Sequence, residues 1–221
     1  MLYTTFGNPT HKTLMLIHGL GVSYQVFEPL IEHLQARYCI IAVQVDGFLI
    51  DNEKKPVSSV FTSIDDQVDQ LVRHIRTAYD GHLDAAYGLS MGGCIVAKLQ
   101  ERTDITIDHV ILDAAPLLPL PRWSIDPLRY YQSFNVWCSY HMSGFFKWLF
   151  RSHYFDTLLD ELAKVYPSGY GRAVRDAYKS IYTSRLECVR SADVHYWYGQ
   201  HEAFVAKYMF RHLESLAPHC H

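Results

Sequence analysis

The sequence predicts an α/β fold in which a mostly parallel sheet is covered by helices on both faces. Two observations lead to this prediction. Short apolar runs alternate along the chain with segments whose apolar residues recur at helical spacing. The connections between these segments are short, which is typical of parallel strands joined by crossover helices.

The first 46 residues contain the first strand, helix and strand of this pattern. Residues 13–18 form an apolar run that ends at Gly19, which predicts a buried strand followed by a turn. From Tyr24 to Leu34 the apolar positions repeat every three or four residues, as on one face of a helix. A second buried strand is predicted over 38–45. Strand, helix and strand in this order form the unit from which parallel sheets are built.

The next predicted helix is followed by two further strands. A serine hydroxyl can cap the first N–H groups of a helix, and aspartates in its first turn are favoured by the helix dipole. Ser63, followed by Asp65 and Asp66, provides such a helix start, and the helix is predicted to run to about Ala78. Strands are predicted at 84–87 and 107–112, with a helix over 94–101 between them.

The alternation breaks at Pro116, the first of several prolines that interrupt regular structure. We therefore predict a helical cap over 116–190, inserted between a first core part over 1–115 and a second over 191–221. The stretch 117–190 holds 16 of the 31 aromatic residues, and its Lys and Arg outnumber its Asp and Glu by 10 to 6. This composition fits the core of a helical subdomain, an aromatic surface that faces a substrate, or both.

Composition argues against several classes of protein. The 221 residues are 49% hydrophobic and 19% charged, as in ordinary globular domains, so disorder is not expected. Lys and Arg are scattered and number 20 against 23 Asp and Glu, which argues against nucleic acid as a partner. No apolar run reaches the roughly 18 residues of a membrane span and no secretory signal is visible, so we expect a cytoplasmic protein. The five widely spaced cysteines indicate neither a metal site nor a disulfide framework, and no cofactor is implied.

The segment 88–92, with the sequence GLSMG, carries the strongest chemical signal. It matches the pattern G-x-S-x-G and stands between a predicted strand and a predicted helix, which is the context that this motif requires. A sharp turn there lifts the serine hydroxyl to the carboxyl edge of the sheet, and the helix directs N–H groups at developing negative charge. Ser90 is therefore the predicted nucleophile, and the backbone N–H of Met91 is one predicted oxyanion donor.

The segment 18–21, with the sequence HGLG, carries a second signal at the end of an earlier strand. Glycines in such a loop free the backbone, so that an N–H can point at the oxyanion. We assign the second oxyanion donor to Leu20. We expect His18 to shape the loop and not to transfer protons, because a histidine at a strand end is more often a hydrogen-bonded structural residue.

With these two segments, the chain resembles the α/β-hydrolase superfamily, specifically its small soluble members with a helical cap. Three further segments support the resemblance: Asp46-Gly47, ILDAAP over 111–116 and YWYGQHE over 196–202. The resemblance covers about residues 14–216. It implies that the nucleophile, the acid and the histidine follow one another in that order along the chain, with Ser90 as the nucleophile.

The resemblance implies two alternatives for the catalytic acid. Many relatives carry the acid in the loop after the strand that follows the cap, and Glu202 occupies that position here. Either carboxylate type can orient an imidazole, so a glutamate is acceptable. The alternative is Asp113, at the end of the strand before the cap, where haloalkane dehalogenases place their acid. A structural role for Asp113 would be to cap backbone amides at the start of the cap.

The resemblance does not lead to a clear histidine. Relatives carry it after a further strand, but a helix that runs to about Leu216 leaves five residues, too few for a strand and a loop. The last strand of the fold is therefore expected to be missing from the chain, and His219 and His221 match the family's placement poorly. A missing strand would leave the strand over 194–198 with an unpaired edge, at which the chain can self-associate.

These observations predict a serine carboxylesterase that cleaves a small-molecule ester through an acyl-enzyme on Ser90. A thioesterase, a perhydrolase or a carbon–carbon bond hydrolase would use nearly the same site. The alternative from a different class is a non-catalytic ligand-binding protein on this fold. The unassigned histidine favours that alternative, and the intact turn around Ser90 opposes it.

Overall fold

The computed structural model describes residues 1–51, 55, 57–151, 153–166, 170–191, 193–199 and 203–216. Six strands in this part of the chain form one sheet. They are β1 (Leu2–Phe6), β2 (Lys12–Ile17), β3 (Tyr38–Gln44), β4 (His82–Leu89), β5 (Thr106–Asp113) and β6 (Asp193–Trp197). Their order across the sheet is β1-β3-β2-β4-β5-β6. The predicted α/β class with a mostly parallel sheet is confirmed, since all pairs except β1 with β3 are parallel.

Helices alternate with the strands, as the sequence predicts. Those described are α1 (Glu28–Leu34), α2 (Ile64–Ala78), α3 (Met91–Leu99), α4 (Arg122–His141), α5 (Ser143–Phe150), α6 (His153–Val165), α7 (Tyr170–Thr183) and α8 (Ala203–Leu216). Ser63 caps α2 as expected, because its side chain accepts a hydrogen bond from the N–H of Asp66. The helices α4 to α7 lie between β5 and β6 within the predicted insertion, whose boundaries at 116 and 190 stay a prediction.

The structure departs from the predicted elements at two places near the start of the chain. The strand β1 was not predicted, because its side chains are exposed or half-buried and form no buried apolar run. It is held by antiparallel pairing with β3, in which Leu2 lies opposite Gln44. The helix predicted over 24–34 is divided into a 3-10 helix, Tyr24–Phe27, and α1. Pro29 stands in the first turn of α1, the helix position that tolerates a residue without an N–H.

Both faces of the sheet are covered over β2, which explains why its sequence is a continuous apolar run. Leu14 and Leu16 point to the face on which Phe27 and Ile31 pack. Met15 and Ile17 point to the opposite face and belong to the larger buried cluster. β6 lies at the edge of the sheet, and no further strand occurs in the described residues.

A polar bridge joins β2 to β4, the two strands that lead to the segments 18–21 and 88–92. The carboxylate of Asp84 accepts hydrogen bonds from the N–H of Thr13 at 2.8 Å and from its hydroxyl at 3.0 Å. The N–H of Asp84 donates to the same hydroxyl at 2.9 Å. Burial opposes ionisation of Asp84, but the bonds from Thr13 outweigh it and lower the pKa of the carboxyl.

We expect Asp84→Ala to lower the free energy of unfolding by about 1–3 kcal/mol, because the Thr13 N–H and hydroxyl lose their charged acceptor. Urea denaturation measures the change. Asp108→Ala is the matched control, since this strand aspartate pairs with His82 at the surface, and it should cost less than about 1 kcal/mol. Equal losses in the two variants would show that the bridge contributes no more than a surface pair.

Candidate active site

Ser90 occupies the sharp turn between β4 and α3. Its backbone angles are φ 51° and ψ −109°, a region that residues with a Cβ rarely adopt and that costs on the order of 1–3 kcal/mol. Two backbone hydrogen bonds hold it there. Its N–H donates to the carbonyl of Asp113 at 2.7 Å, and its own carbonyl accepts from the N–H of Cys94 at 3.2 Å. Strain of this kind is typical of functional sites.

The two glycines of the motif permit close contacts on either side of Ser90. A Cβ on Gly92 would lie 2.2 Å from the carbonyl oxygen of Ile17, at the end of β2. A Cβ on Gly88 would lie 2.3 Å from the carbonyl oxygen of Gly92. Both distances are far below van der Waals contact, so the first turn of α3 can pack against β2 and β4 only if these positions lack side chains.

The segments 18–21 and 88–92 meet at the carboxyl edge of the sheet. A Cβ on Gly19 would lie 3.6 Å from the Cβ of Ser90, which is ordinary contact. Gly19 therefore lies close to Ser90. Leu20 follows Gly19, and Met91 starts α3 directly after Ser90. This proximity is what an oxyanion hole needs, but the roles of the Leu20 and Met91 N–H groups stay predictions.

His18 is fully buried, and both of its ring nitrogens have backbone partners. Nε2 accepts a hydrogen bond from the N–H of Val45 at 3.1 Å, so Nδ1 carries the proton and donates to the carbonyl of Gly19 at 2.8 Å. Burial lowers the pKa of the imidazole to about 4, against a smaller opposing effect of the Gly19 bond. A neutral ring with both nitrogens engaged fits the expected loop-shaping role.

Asp113 ends β5 directly beside the turn, and its carboxylate accepts a hydrogen bond from the hydroxyl of Tyr87 at 2.5 Å. This bond joins β5 to β4. The structural role expected for Asp113 was to cap backbone amides, but the bond described for its carboxylate is to a side chain. Burial, together with the bond to Asp113 and its charge, raises the pKa of Tyr87, so the phenol remains a donor. The Tyr87 ring packs edge-on against Phe27 and Trp197.

Two polar residues that the sequence analysis did not single out connect the cap to the loop after Gly21. The hydroxyl of Ser23 donates to the carboxylate of Glu161 on α6 at 3.5 Å, and both residues are buried. Glu161 stands between Leu159 and Leu162 on the buried side of α6. A charged residue within a buried helical stripe was the available sequence signal, but its partner lies 138 residues away.

Glu202, His219 and His221 lie outside the described residues. Among the residues that the structure describes, no histidine forms a hydrogen bond with the hydroxyl of Ser90. His109 and His195, at 2.8 and 3.1 Å, share the carboxylate of Asp193. The described residues also contain no cluster of three or more metal-ligating side chains and no helix that could cross a membrane.

Comparison with known proteins identifies the same fold. The sequence model of the alpha/beta hydrolase fold matches residues 12–163. MenH from S. aureus superposes with a TM-score of 0.75 at 16% identity, covering 99% of this chain and 87% of that chain. A hydrolase family protein from Desulfitobacterium hafniense gives a TM-score of 0.74 at 18% identity, covering 97% and 86%. A thermophilic esterase from Thermogutta terrifontis gives 0.73 at 16%, covering 100% and 82%. Among curated proteins, a sequence comparison finds no match.

We expect the stability of the fold to fall between pH 6.5 and pH 4, because the unfolded chain protonates His18 in that range and the folded chain does not. The lowered pKa corresponds to a total loss of about 3 kcal/mol. The variant His18→Gln should lack this pH-dependent loss. It should be less stable than the wild type near pH 7, and the difference in unfolding free energy should narrow as the pH falls. Urea denaturation at a series of pH values measures both curves.

The control for this titration is His33→Gln, because His33 is exposed on α1. Its unfolding free energy should follow the wild-type pH curve. A pH dependence in His18→Gln as steep as that of the wild type would contradict the assignment to His18.

Proposed function

Because the chain belongs to the alpha/beta hydrolase fold family, we propose that it is a serine hydrolase that cleaves a small-molecule carboxylic ester. The observation that carries the proposal is the backbone of Ser90, which is strained and stands at the first turn of α3. A strained serine at the start of a helix is suited to nucleophilic attack for two reasons. The sharp turn exposes its hydroxyl, and the N–H groups of the helix that follows stabilise negative charge. Esterases among the structural neighbours support the choice of ester.

The proposed reaction proceeds by acyl transfer. The Ser90 oxygen attacks the carbonyl carbon while its proton passes to a base, and the carbonyl oxygen becomes an oxyanion that the N–H groups of Leu20 and Met91 bind. Collapse of this intermediate breaks the ester bond, and the leaving alkoxide takes the proton to become an alcohol. Water then attacks the acyl group on Ser90 by the same steps and releases the carboxylic acid.

The reaction requires a base that accepts the Ser90 proton and an acidic side chain that orients this base. His18 is unsuited as the base, because both of its nitrogens are engaged by backbone groups. We keep Glu202 as the orienting acid. Supporting this choice, Trp197 at the end of β6 lies in register with Asp113, which in turn lies beside Leu89. The chain that leads to Glu202 therefore leaves the sheet at the same edge as the Ser90 turn. His219 and His221 remain the candidates for the base.

A non-catalytic ligand-binding protein is the second candidate. The observation in its favour is that no described histidine forms a hydrogen bond with the Ser90 hydroxyl. The strained backbone of Ser90 argues against it, since a binding protein has no chemical need for a conformation that costs stability.

We expect Ser90 to react covalently with a fluorophosphonate probe, because an activated serine next to an oxyanion hole attacks the phosphorus and displaces fluoride. Intact-protein mass spectrometry should show one adduct on the wild type and none on Ser90→Ala. Ser124→Ala, at the start of α4, is the control and should label like the wild type. Labelling of Ser90→Ala would refute the assignment, and a folded wild type that never labels would favour the binding protein.

The acid can be identified by comparing two conservative variants. We expect Glu202→Gln to lower ester turnover by several orders of magnitude, on the order of 10⁴-fold for such a change in serine proteases, with little effect on stability. Asp113→Asn should chiefly lower the free energy of unfolding, because the bond to Tyr87 loses its charge. Initial rates with a chromogenic ester and urea denaturation give the two readouts. The reverse pattern would assign the acid to Asp113.

A further inference from the structure

Most of the exposed large apolar side chains in the described residues lie on α4 and α5. Trp123 on α4 is 81% exposed and Trp148 on α5 is 63% exposed. Tryptophan side chains are highly buried on average, so a cluster of exposed ones is unusual for a folded domain. Large exposed apolar patches on a folded domain mark sites of interaction with another molecule or with a membrane.

The exposed residues of α4 share one face of the helix. Trp123, Tyr130, Phe134 and Trp137 are separated by seven, four and three positions, which is helical spacing. The rings of Phe134 and Trp137 stack with their centroids 6.0 Å apart. These four side chains are between 46% and 81% exposed, whereas Ile125 on the same helix is buried, so the aromatic face is open to solvent.

The helix α5 extends this surface along the chain. None of its residues is buried, and Phe145, Trp148 and Phe150 are each about half exposed or more. Lys147 is the one charged residue in the run from Phe145 to Phe150. A helix with apolar residues on all sides is normally buried, so α5 has the composition of a helix that inserts into an apolar medium.

Cationic residues accompany the aromatic ones. The segment 122–151 contains four Lys or Arg and one Asp, whereas the whole chain has a formal charge of −3. Arg129 pairs with Asp126, and Lys147 pairs with Asp160 of α6. Arg122 and Arg151, at the two ends of the segment, are exposed. After these two pairs are counted, Arg122 and Arg151 leave the segment with an excess of positive charge at its two ends.

A groove of about 250 Å³ opens on the aromatic face of α4. Tyr130, Phe134 and Trp137 line one side, and Val174 and Arg175 of α7 line the other. An apolar groove with an arginine beside it suits a molecule that has an apolar chain and an anionic group.

We propose that the face formed by α4 and α5 docks on the surface of a membrane that contains anionic lipid. Tryptophan and tyrosine favour the boundary between headgroups and acyl chains, because their rings are apolar with one polar atom. Basic residues among them are attracted to anionic headgroups. Since α5 has eight residues, the contact is peripheral and does not span the bilayer. This inference does not depend on the proposed esterase activity.

A second copy of the chain fits this surface less well. A symmetric dimer would place the same positively charged face against itself, which like-charge repulsion opposes. Anionic lipid neutralises the charge and also accepts the aromatic side chains.

Vesicle co-sedimentation tests the proposal. The wild type should sediment with vesicles of phosphatidylcholine mixed with phosphatidylserine and much less with phosphatidylcholine alone, and added salt should weaken the binding. The double variant Phe145→Ser/Trp148→Ser should bind about tenfold more weakly or worse, because it removes two exposed anchors. Arg122→Ala/Arg151→Ala should lose the preference for anionic vesicles. A blue shift of tryptophan fluorescence on binding provides an independent readout.

Two controls accompany these variants. Val60→Ser removes an exposed apolar side chain outside the cap and should bind like the wild type. Ser90→Ala should also bind like the wild type, which separates docking from capture of lipid as a substrate. Urea denaturation should show unchanged stability for the α5 variant, because it alters exposed residues.

Vesicle binding that is unchanged in the α5 variant would overturn the proposal, as would a wild type that binds no vesicles. If light scattering then showed a dimer that Phe145→Ser/Trp148→Ser dissociates, the surface would be an interface between copies. Failure of the fluorophosphonate reaction would leave the docking result intact, so the two proposals are tested separately.

Discussion

The close approach of the first turn of α3 to the end of β2 is the contact on which the candidate site depends. Gly92 lies so near the carbonyl of Ile17 that a single added carbon would overlap with it. Because α3 packs this close to β2, the connection between β4 and α3 is a sharp turn. Ser90 forms this turn with a positive φ. The free energy of that strain is offset by the buried sheet on both sides. Local geometry at one residue is thus a consequence of packing between elements that are distant in the chain.

Three side-chain hydrogen bonds hold the loops around this turn. His18 connects the loop after β2 to the chain after β3, Tyr87 connects β4 to Asp113, and Ser23 connects the same β2 loop to the cap. Each bond joins the carboxyl edge of the sheet to a neighbouring element. Because both ring nitrogens of the neutral His18 have backbone partners, this side chain holds the loop in place. The edge is therefore connected to neighbouring elements on several sides of the serine.

The helices α4 to α7, in the predicted cap, combine two different environments. Their inner side, with Leu159, Leu162 and Val174, belongs to the main buried cluster. Their outer side exposes the aromatic residues of α4 and α5. The predicted role of the aromatic residues in a subdomain core applies to part of them, since Tyr140, Phe146 and Tyr178 pack against that cluster and others are exposed. A surface that faces a substrate stays a prediction. The helices α4 to α7 thus combine a packed interior with an aromatic exterior.

The sequence by itself determined the features that short stretches of chain encode. The alternation of strands and helices follows from apolar periodicity, and a five-residue motif marks the position of the turn at Ser90, although the close contact of Gly92 with Ile17 is tertiary. The hydrogen bond with which Ser63 caps the start of α2 is a feature of the same kind. Each is marked by residues a few positions apart, which is why pattern and spacing were sufficient to predict the fold and to single out the serine.

Tertiary structure alone decided which distant residues meet. The bond between Tyr87 and Asp113 spans 26 residues, and the bond between Ser23 and Glu161 spans 138. The strand β1 exists through its pairing with β3, and the outward direction of the α4 and α5 aromatics depends on which helix faces the core. These outcomes follow from strand register and from the competition of many surfaces for burial. Neither leaves a periodic signal in the sequence, because periodicity identifies a face of an element and not the partner that covers it.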